Sequence, residues 1–166
     1  MKYIIPLCAF LTIFFFIPTL PAQEKAISAN FDKTLFYTTL ASGKTDEINN
    51  RLAQLAESNF PEKKAYEGAL LMKKAGLLGK PKDKLSIFKM GRSKLESAIN
   101  SDEANAEYHF LRLVIQENAP KIVKYRQNLQ KDSELVSASF KKLPLAVQQA
   151  IRNYSKKSAF LNPGDF

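Results

Sequence analysis

The segment LESAINSDEANAEYHFL, residues 95–111, contains the sharpest joint between two helical patterns in this chain. Apolar residues at the spacing of one helix face lie on both sides of the joint, at Leu95, Ala98, Ile99, Tyr108 and Leu111. Between them stand Ser101, Asp102 and Glu103, polar residues of the kind found at the start of helices. The stretch therefore predicts two consecutive helices, residues 83–100 and 102–117, that pack against each other in antiparallel orientation.

The same helical period extends over most of the chain, and no long segment alternates apolar and polar residues as a strand would. Residues suited to the first positions of helices divide the pattern into seven segments, starting near Asn30, Thr45, Pro61, Asp83, Ser101, Pro120 and Pro144. The intervening loops are short, so neighbouring helices are expected to be antiparallel. The sequence predicts an all-α protein of about seven antiparallel helices in a tetratricopeptide-like or irregular bundle.

Two further features refine this picture. Gly91 interrupts the fourth helix at a cost of about 1 kcal/mol relative to alanine, and its missing side chain would let another helix approach closely. At the other end of the chain, Asn162, Pro163 and Gly164 predict a frayed terminus.

The first 22 residues have the three-part layout of a secretory signal peptide, with Lys2, an apolar core over residues 4–17 and the small residue Ala22. We expect cleavage before Gln23, and a periplasmic or secreted mature protein. An uncleaved anchor is the less favoured alternative, because a membrane-spanning helix needs about 20 apolar residues. The mature chain, residues 23–166, has a length typical of a single domain.

The only cysteine, Cys8, lies inside this predicted signal. The mature chain therefore has no disulfide, no thiol nucleophile and no thiolate metal site. An exported protein without disulfides fits a bacterial envelope better than an animal secretory pathway. With a single histidine and no mature cysteine, the sequence predicts no zinc site, and it contains no phosphate-binding loop; we expect neither a metal nor a cofactor.

The 95–111 joint also resembles the boundary between two tetratricopeptide repeats. The resemblance covers about one repeat, residues 72–111, and depends on Leu95, Ala98, Ile99, Asp102, Asn105, Ala106 and Glu107. Glu103 replaces the usual proline, Tyr108 comes one residue early, and Gly79 to Lys82 break a helix that the repeat would continue. The resemblance implies helix pairs with a partner-binding groove, and a generic helical bundle is the alternative.

One polar face stands out within the fifth helix. His109, Arg112 and Gln116 are spaced by three and four residues and therefore share a side of the helix. They are candidate partner-binding residues, and the forked guanidinium of Arg112 would bind an anionic group. The alternative is a partly exposed helix face without a ligand. A hydrolase that uses His109 is a further, less favoured hypothesis, since no nucleophile motif is present.

Basic residues are concentrated in the middle of the chain. Residues 61–94 contain ten basic and three acidic side chains, in a protein whose formal net charge is +9. The candidate basic patch comprises Lys73, Lys74, Lys80, Lys82, Lys84, Lys89, Arg92 and Lys94. Such a patch can bind phosphate groups of lipid or lipopolysaccharide, or it can simply keep the protein soluble. Nucleic acid would match the same charge, but export argues against it.

These observations favour a non-enzymatic helical interaction protein of the bacterial envelope. The leading prediction is a groove between helices that takes up part of a protein or peptide partner. The alternative is peripheral binding to anionic lipid or lipopolysaccharide through the basic patch of residues 73–94.

Overall fold

The computed structural model describes residues 31–166, and all regular secondary structure in this range is helical. The helices are α1 (Lys33–Ser42), α2 (Thr45–Ala56), α3 (Lys63–Leu77), α4 (Pro81–Ser101), α5 (Ala106–Asn118), α6 (Leu129–Ser139) and α7 (Leu145–Ser155). The prediction of an all-α chain with about seven helices is confirmed over the described range. The expected signal peptide and the expected cap at Asn30 lie outside the described residues.

Local capping explains where α1 and α5 begin. The Asp32 side chain accepts a hydrogen bond from the Leu35 amide at 2.9 Å, so Asp32 caps α1. The predicted start of α5 at residues 101–103 is wrong. Ser101 is the last residue of α4, and Asn105 caps α5 by accepting from the Tyr108 amide.

Proline positions indicated only some of the helix starts correctly. Pro144 directly precedes α7, as predicted, but α3 begins at Lys63 instead of Pro61 and α4 already begins at Pro81. Pro120 does not open an α-helix; it precedes a single 3₁₀ turn, Lys121–Val123. Lys124 ends that turn in a left-handed conformation with φ of 47°, which interrupts a continuous helix. Ile122 is 88% exposed on this turn.

Helices α3 and α4 cross at a contact between two glycines. A β-carbon added to Gly91 would lie 2.6 Å from the Gly68 carbonyl oxygen and 2.8 Å from the Met72 amide nitrogen. One added to Gly68 would lie 2.7 Å from the Leu95 amide nitrogen. The expected close approach at Gly91 is confirmed, and Gly68 is its partner.

The predicted frayed terminus is wrong. Leu161 is buried, and the ring of Phe166 packs edge-on against Phe140 with centroids 4.9 Å apart. A short 3₁₀ turn, Pro163–Asp165, is capped by the Asn162 side chain. The apolar residues on both sides of the Asn-Pro-Gly stretch thus hold the end of the chain against the helices.

The centre of the fold is α5, of whose 13 residues ten are buried. Four of these ten are polar or charged: Glu107, His109, Arg112 and Gln116. A buried charged group is tolerated when it is paired and hydrogen-bonded. The partners of these four side chains therefore determine how the surrounding helices are arranged.

Candidate functional site

The three candidate partner-binding residues, His109, Arg112 and Gln116, do share one side of α5, but that side is not partly exposed. Their exposed fractions are 2%, 5% and 0%. Each side chain is engaged by another part of the same chain. In this structure they cannot be reached by a partner without a rearrangement of the core.

Asp132 on α6 joins the first two of these residues. Arg112 donates from Nε to Oδ2 of Asp132 at 2.8 Å and from Nη2 to Oδ1 at 2.7 Å, a two-pronged ion pair. The Nδ1 atom of His109 lies 2.7 Å from Oδ1 of the same carboxylate. Burial alone would raise the pKa of Asp132, but the hydrogen bonds from Arg112 and His109 outweigh it and hold this pKa below its ordinary value.

The network extends from Arg112 towards the surface. Arg112 donates from Nη1 to the Glu96 carboxylate at 2.9 Å, and the Tyr125 hydroxyl donates to the other oxygen of Glu96. Burial, together with the Glu96 contact, raises the pKa of Tyr125. Arg112 thus links α4, α5 and α6 through two carboxylates that lie far apart in the sequence.

Gln116 fixes the segment that leads into α6. Its side-chain oxygen accepts from the Asn128 amide at 3.1 Å, and its side-chain nitrogen donates to Oδ1 of Asn128 at 3.3 Å. These two hydrogen bonds attach the segment between the 3₁₀ turn and α6 to the buried face of α5.

The arrangement around His109 gives the hydrolase hypothesis no nucleophile. In a Ser-His-Asp triad, one ring nitrogen faces the carboxylate and the other faces the serine hydroxyl. Here Nε2 of His109 lies 3.0 Å from the backbone carbonyl oxygen of Glu103. Across residues 31–166, no hydroxyl forms a hydrogen bond with this ring.

Glu107, which in the sequence only contributed to the repeat resemblance, has a role in the core that its position did not predict. It is only 4% exposed, and it accepts hydrogen bonds from Tyr66 at 2.6 Å, Tyr37 at 2.9 Å and Lys33 at 2.7 Å. Burial and the neighbouring carboxylate raise the pKa of both tyrosines. The tyrosines lie on two different helices, α1 and α3, and their spacing in the sequence does not indicate that they share one hydrogen-bond acceptor.

A groove opens at the other end of α5. It has a volume of about 580 Å³ and is bounded by the end of α3, the start of α4, the end of α5 and the 3₁₀ turn. Phe88 and Ile115 lie among its apolar lining residues. Leu77, Leu85 and Ile122 also line it, and they are 42%, 46% and 88% exposed. Such a cavity, mostly apolar with a few polar groups, is typical of a binding site.

The eight residues of the candidate basic patch fall into different settings. Lys73 and Lys84 line the groove. Lys94 forms an ion pair with Glu67 at 2.6 Å, and the guanidinium of Arg92 lies 4.7 Å from the centre of the Tyr125 ring. The remaining four comprise the partly buried Lys74 and the exposed Lys80, Lys82 and Lys89. Only part of the excess positive charge is therefore free to meet a partner.

Within the described residues, no three histidine, cysteine, aspartate or glutamate side chains are grouped closely enough to hold a metal ion. Over the same range, no helix is both long and apolar enough to cross a membrane.

Comparisons of this chain with models of protein families, with curated proteins and with solved structures find no match.

Proposed function

We propose that this chain is an exported, non-enzymatic interaction protein of the bacterial cell envelope, with a tetratricopeptide-like arrangement of helices. In this proposal the groove between α3, α4 and α5 takes up part of a protein or peptide partner. The observation that carries it is the groove itself, a cavity of about 580 Å³ whose wall includes three exposed large apolar residues.

The apolar side chains at the groove support binding for an energetic reason. Leu77, Leu85 and Ile122 remain in contact with water although a concave apolar surface lies beside them. Full burial of one such side chain contributes about 1.5–3 kcal/mol. Clustered apolar residues on the surface of a protein are typical of interaction sites, whereas single ones are ordinary.

The polar network of α5 supports a scaffold more than a ligand site. Arg112, Asp132, Gln116 and Asn128 hold α4, α5 and α6 in fixed positions. Two of these helices, α4 and α5, form walls of the groove together with α3, and the 3₁₀ turn between α5 and α6 forms its rim. A rigid frame of this kind reduces the conformational entropy lost on binding.

The test compares groove variants with a matched surface variant. Leu85→Glu and Ile122→Glu should each abolish capture of the partner from envelope extract by tagged protein, at moderate salt. Leu145→Glu is the control, because Leu145 is 80% exposed and does not line the groove. If all three variants capture the same partner as the wild type, the groove is not the binding site and the proposal fails.

The exposed lysines favour a second candidate, binding to an anionic envelope surface. Lys80, Lys82 and Lys89 are exposed, and Lys82 and Lys89 are seven residues apart, on one face of α4. Binding to phosphatidylglycerol vesicles or lipopolysaccharide through them should be strong at low salt. It should weaken as the Debye length falls from about 10 Å at 0.1 M salt to about 3 Å at 1 M.

Co-sedimentation with such vesicles across a salt series, using Lys82→Glu/Lys89→Glu, separates the two candidates. Loss of vesicle binding in this variant, with groove binding intact, would establish the lysine surface as a separate site. Absence of vesicle binding at low salt would eliminate the second candidate.

A further inference from the structure

The wall of the groove combines apolar side chains with positive charge. Within residues 31–166, its polar side chains are Lys73 from α3, Lys84 from α4 and Asn118 from α5, and no carboxylate of this range lines it. Neither lysine forms an ion pair within residues 31–166. By contrast, Lys94, from the same basic segment, pairs with Glu67. The groove therefore presents two cations that lack a counter-charge in the described part of the chain.

Lys73 is partly buried and lies near another positive charge. Burial, and in addition the positive charge of Lys157, lowers the pKa of Lys73. The charged form of this side chain is thus disfavoured in the free protein, and a carboxylate nearby would reverse that effect. Lys80 and Lys82, exposed just before Lys84, would attract the same kind of ligand from a distance.

We propose that the occupant of the groove is an acidic amphipathic helix of a partner protein, whose apolar face fills the groove and whose carboxylates meet Lys73 and Lys84. This inference rests on the proposed function, and it specifies the chemistry of the partner.

The lining explains why the occupant is a helix instead of an extended peptide. An extended segment carries backbone N–H and C=O groups that need partners once they are buried. Among the described residues, Asn118 and the two lysines are the only polar side chains in the wall. A helix satisfies its own backbone and presents apolar residues at i, i+3 or i+4, and i+7, the established mode of helix-in-groove recognition.

The rim explains why the occupant is larger than a single acyl chain. Ile122 is 88% exposed, and Leu77 and Leu85 remain almost half exposed. An acyl chain seated in the groove would leave the outer parts of these side chains in water. A helix lying across the groove would cover them, and this burial contributes to its binding.

The experiment is a selection from a displayed library of helical peptides of about 16 residues, or between four and five turns. Peptides that bind wild-type protein are retained. Those that also bind Leu85→Glu protein are discarded, because they bind outside the groove. We expect enriched peptides to carry apolar residues at i, i+3 or i+4, and i+7 and an excess of aspartate and glutamate. Enriched peptides that need Leu85 but show no acidic excess would overturn the proposal.

A charge exchange then tests the lysines directly. An enriched peptide should bind Lys84→Glu protein at least tenfold more weakly, and its version with lysine in place of each acidic residue should recover binding to that variant. Lys73→Gln should weaken the original peptide in the same direction. Lys89→Glu is the control, because Lys89 is exposed on the same helix but does not line the groove. Equal binding to the wild type and to both groove-lysine variants would contradict the proposal.

If the groove takes up something other than an acidic helix, the binding experiments should give different results. If no peptide depends on Leu85 but palmitate displaces a dansyl-labelled fatty acid in a Leu85-dependent way, the groove binds a small amphiphile and the helix proposal is wrong, while groove binding itself stands. Concentration-dependent dimerisation that Leu85→Glu abolishes would identify a second copy of this chain as the occupant, and would also overturn the proposal. If no probe depends on Leu85, the proposed function fails together with the inference.

Discussion

Gly68 and Gly91 face each other at the crossing of α3 and α4, and a β-carbon at Gly91 would lie 2.6 Å from the Gly68 carbonyl oxygen. The contact is between two backbones, so no side-chain rotation can make room. The same two helices continue to the groove, where α3 ends and α4 begins. This crossing therefore sets the separation of two groove walls.

Gly91→Ala should destabilise the protein despite the better helix propensity of alanine. Propensity favours alanine by about 1 kcal/mol, but forcing extra volume into a packed contact costs about 1–3 kcal/mol, and more where backbone must move. Urea denaturation should therefore show a lower free energy of unfolding. Gly76→Ala is the control, since a β-carbon at this position of α3 meets no atom of residues 31–166 within 4 Å; it should be neutral or stabilising. Equal effects of the two substitutions would contradict the tight crossing.

Asp132→Asn should be among the most damaging single changes. It leaves the buried Arg112 guanidinium without its carboxylate, and breaking a buried pair costs about 3–5 kcal/mol. Chemical denaturation at neutral pH measures this loss. Glu134→Gln, an exposed position on the same helix, should change stability by less than about 0.5 kcal/mol.

The contribution of Asp132 to stability should also depend on pH. The pKa of Asp132 is lower in the folded state than in the unfolded chain, where it is about 3.9. Its stabilising contribution is therefore present above that unfolded value and is lost as pH falls through the folded value. The gap in stability between wild type and Asp132→Asn should shrink as pH is lowered from about 5 towards 3. A gap that stays constant down to acid unfolding would show that the charge of Asp132 does not matter.

Tyr66→Phe should cost about 1–3 kcal/mol, because it removes one of the three donors that satisfy the buried Glu107 carboxylate. Tyr108→Phe is the matched change, since the Tyr108 hydroxyl makes no hydrogen bond within residues 31–166, and only its backbone amide bonds to a side chain. Thermal melts of the two variants should differ by several degrees. If the two variants have the same melting temperature, the stability of the fold around the buried Glu107 carboxylate does not depend on its tyrosine donors.

Ala98→Glu should destabilise the protein by at least about 3 kcal/mol, because Ala98 is only 4% exposed and the new charge would have no partner in the core. Asn100→Glu, two residues further along the same helix, places the same charge at an exposed position and should be tolerated. Circular dichroism melts distinguish the two. Wild-type behaviour of Ala98→Glu would refute the packing predicted for the 95–111 joint.

The N-terminal residue of the protein purified from cells tests whether the chain is exported and cleaved. The order of charged, apolar and small residues over positions 1–22 predicts that protein purified from cells begins at Gln23. Mass spectrometry of the intact protein and N-terminal sequencing both report this end. Protein that retains Met1 and lies in the cytosol would contradict the proposed location.

Local interactions determined what could be predicted from the sequence. The helical period and the start of α7 after Pro144 depend on contacts within a few residues. The close approach at Gly91 could also be predicted, because a glycine inside a helix leaves a gap in its surface. The identity of its partner, Gly68, could not, since a gap in one helix does not indicate which other helix fills it.

Contacts between distant residues decided the rest, and here the sequence was misleading. The spacing of His109, Arg112 and Gln116 correctly placed them on one side of α5, but periodicity cannot distinguish a side that faces water from one that faces other helices. Because helices pack around α5 on nearly every side, these polar groups are buried, with Asp132 and Asn128 as partners. The groove arises in the same way, since its walls are the ends of three helices that only the packed structure brings together.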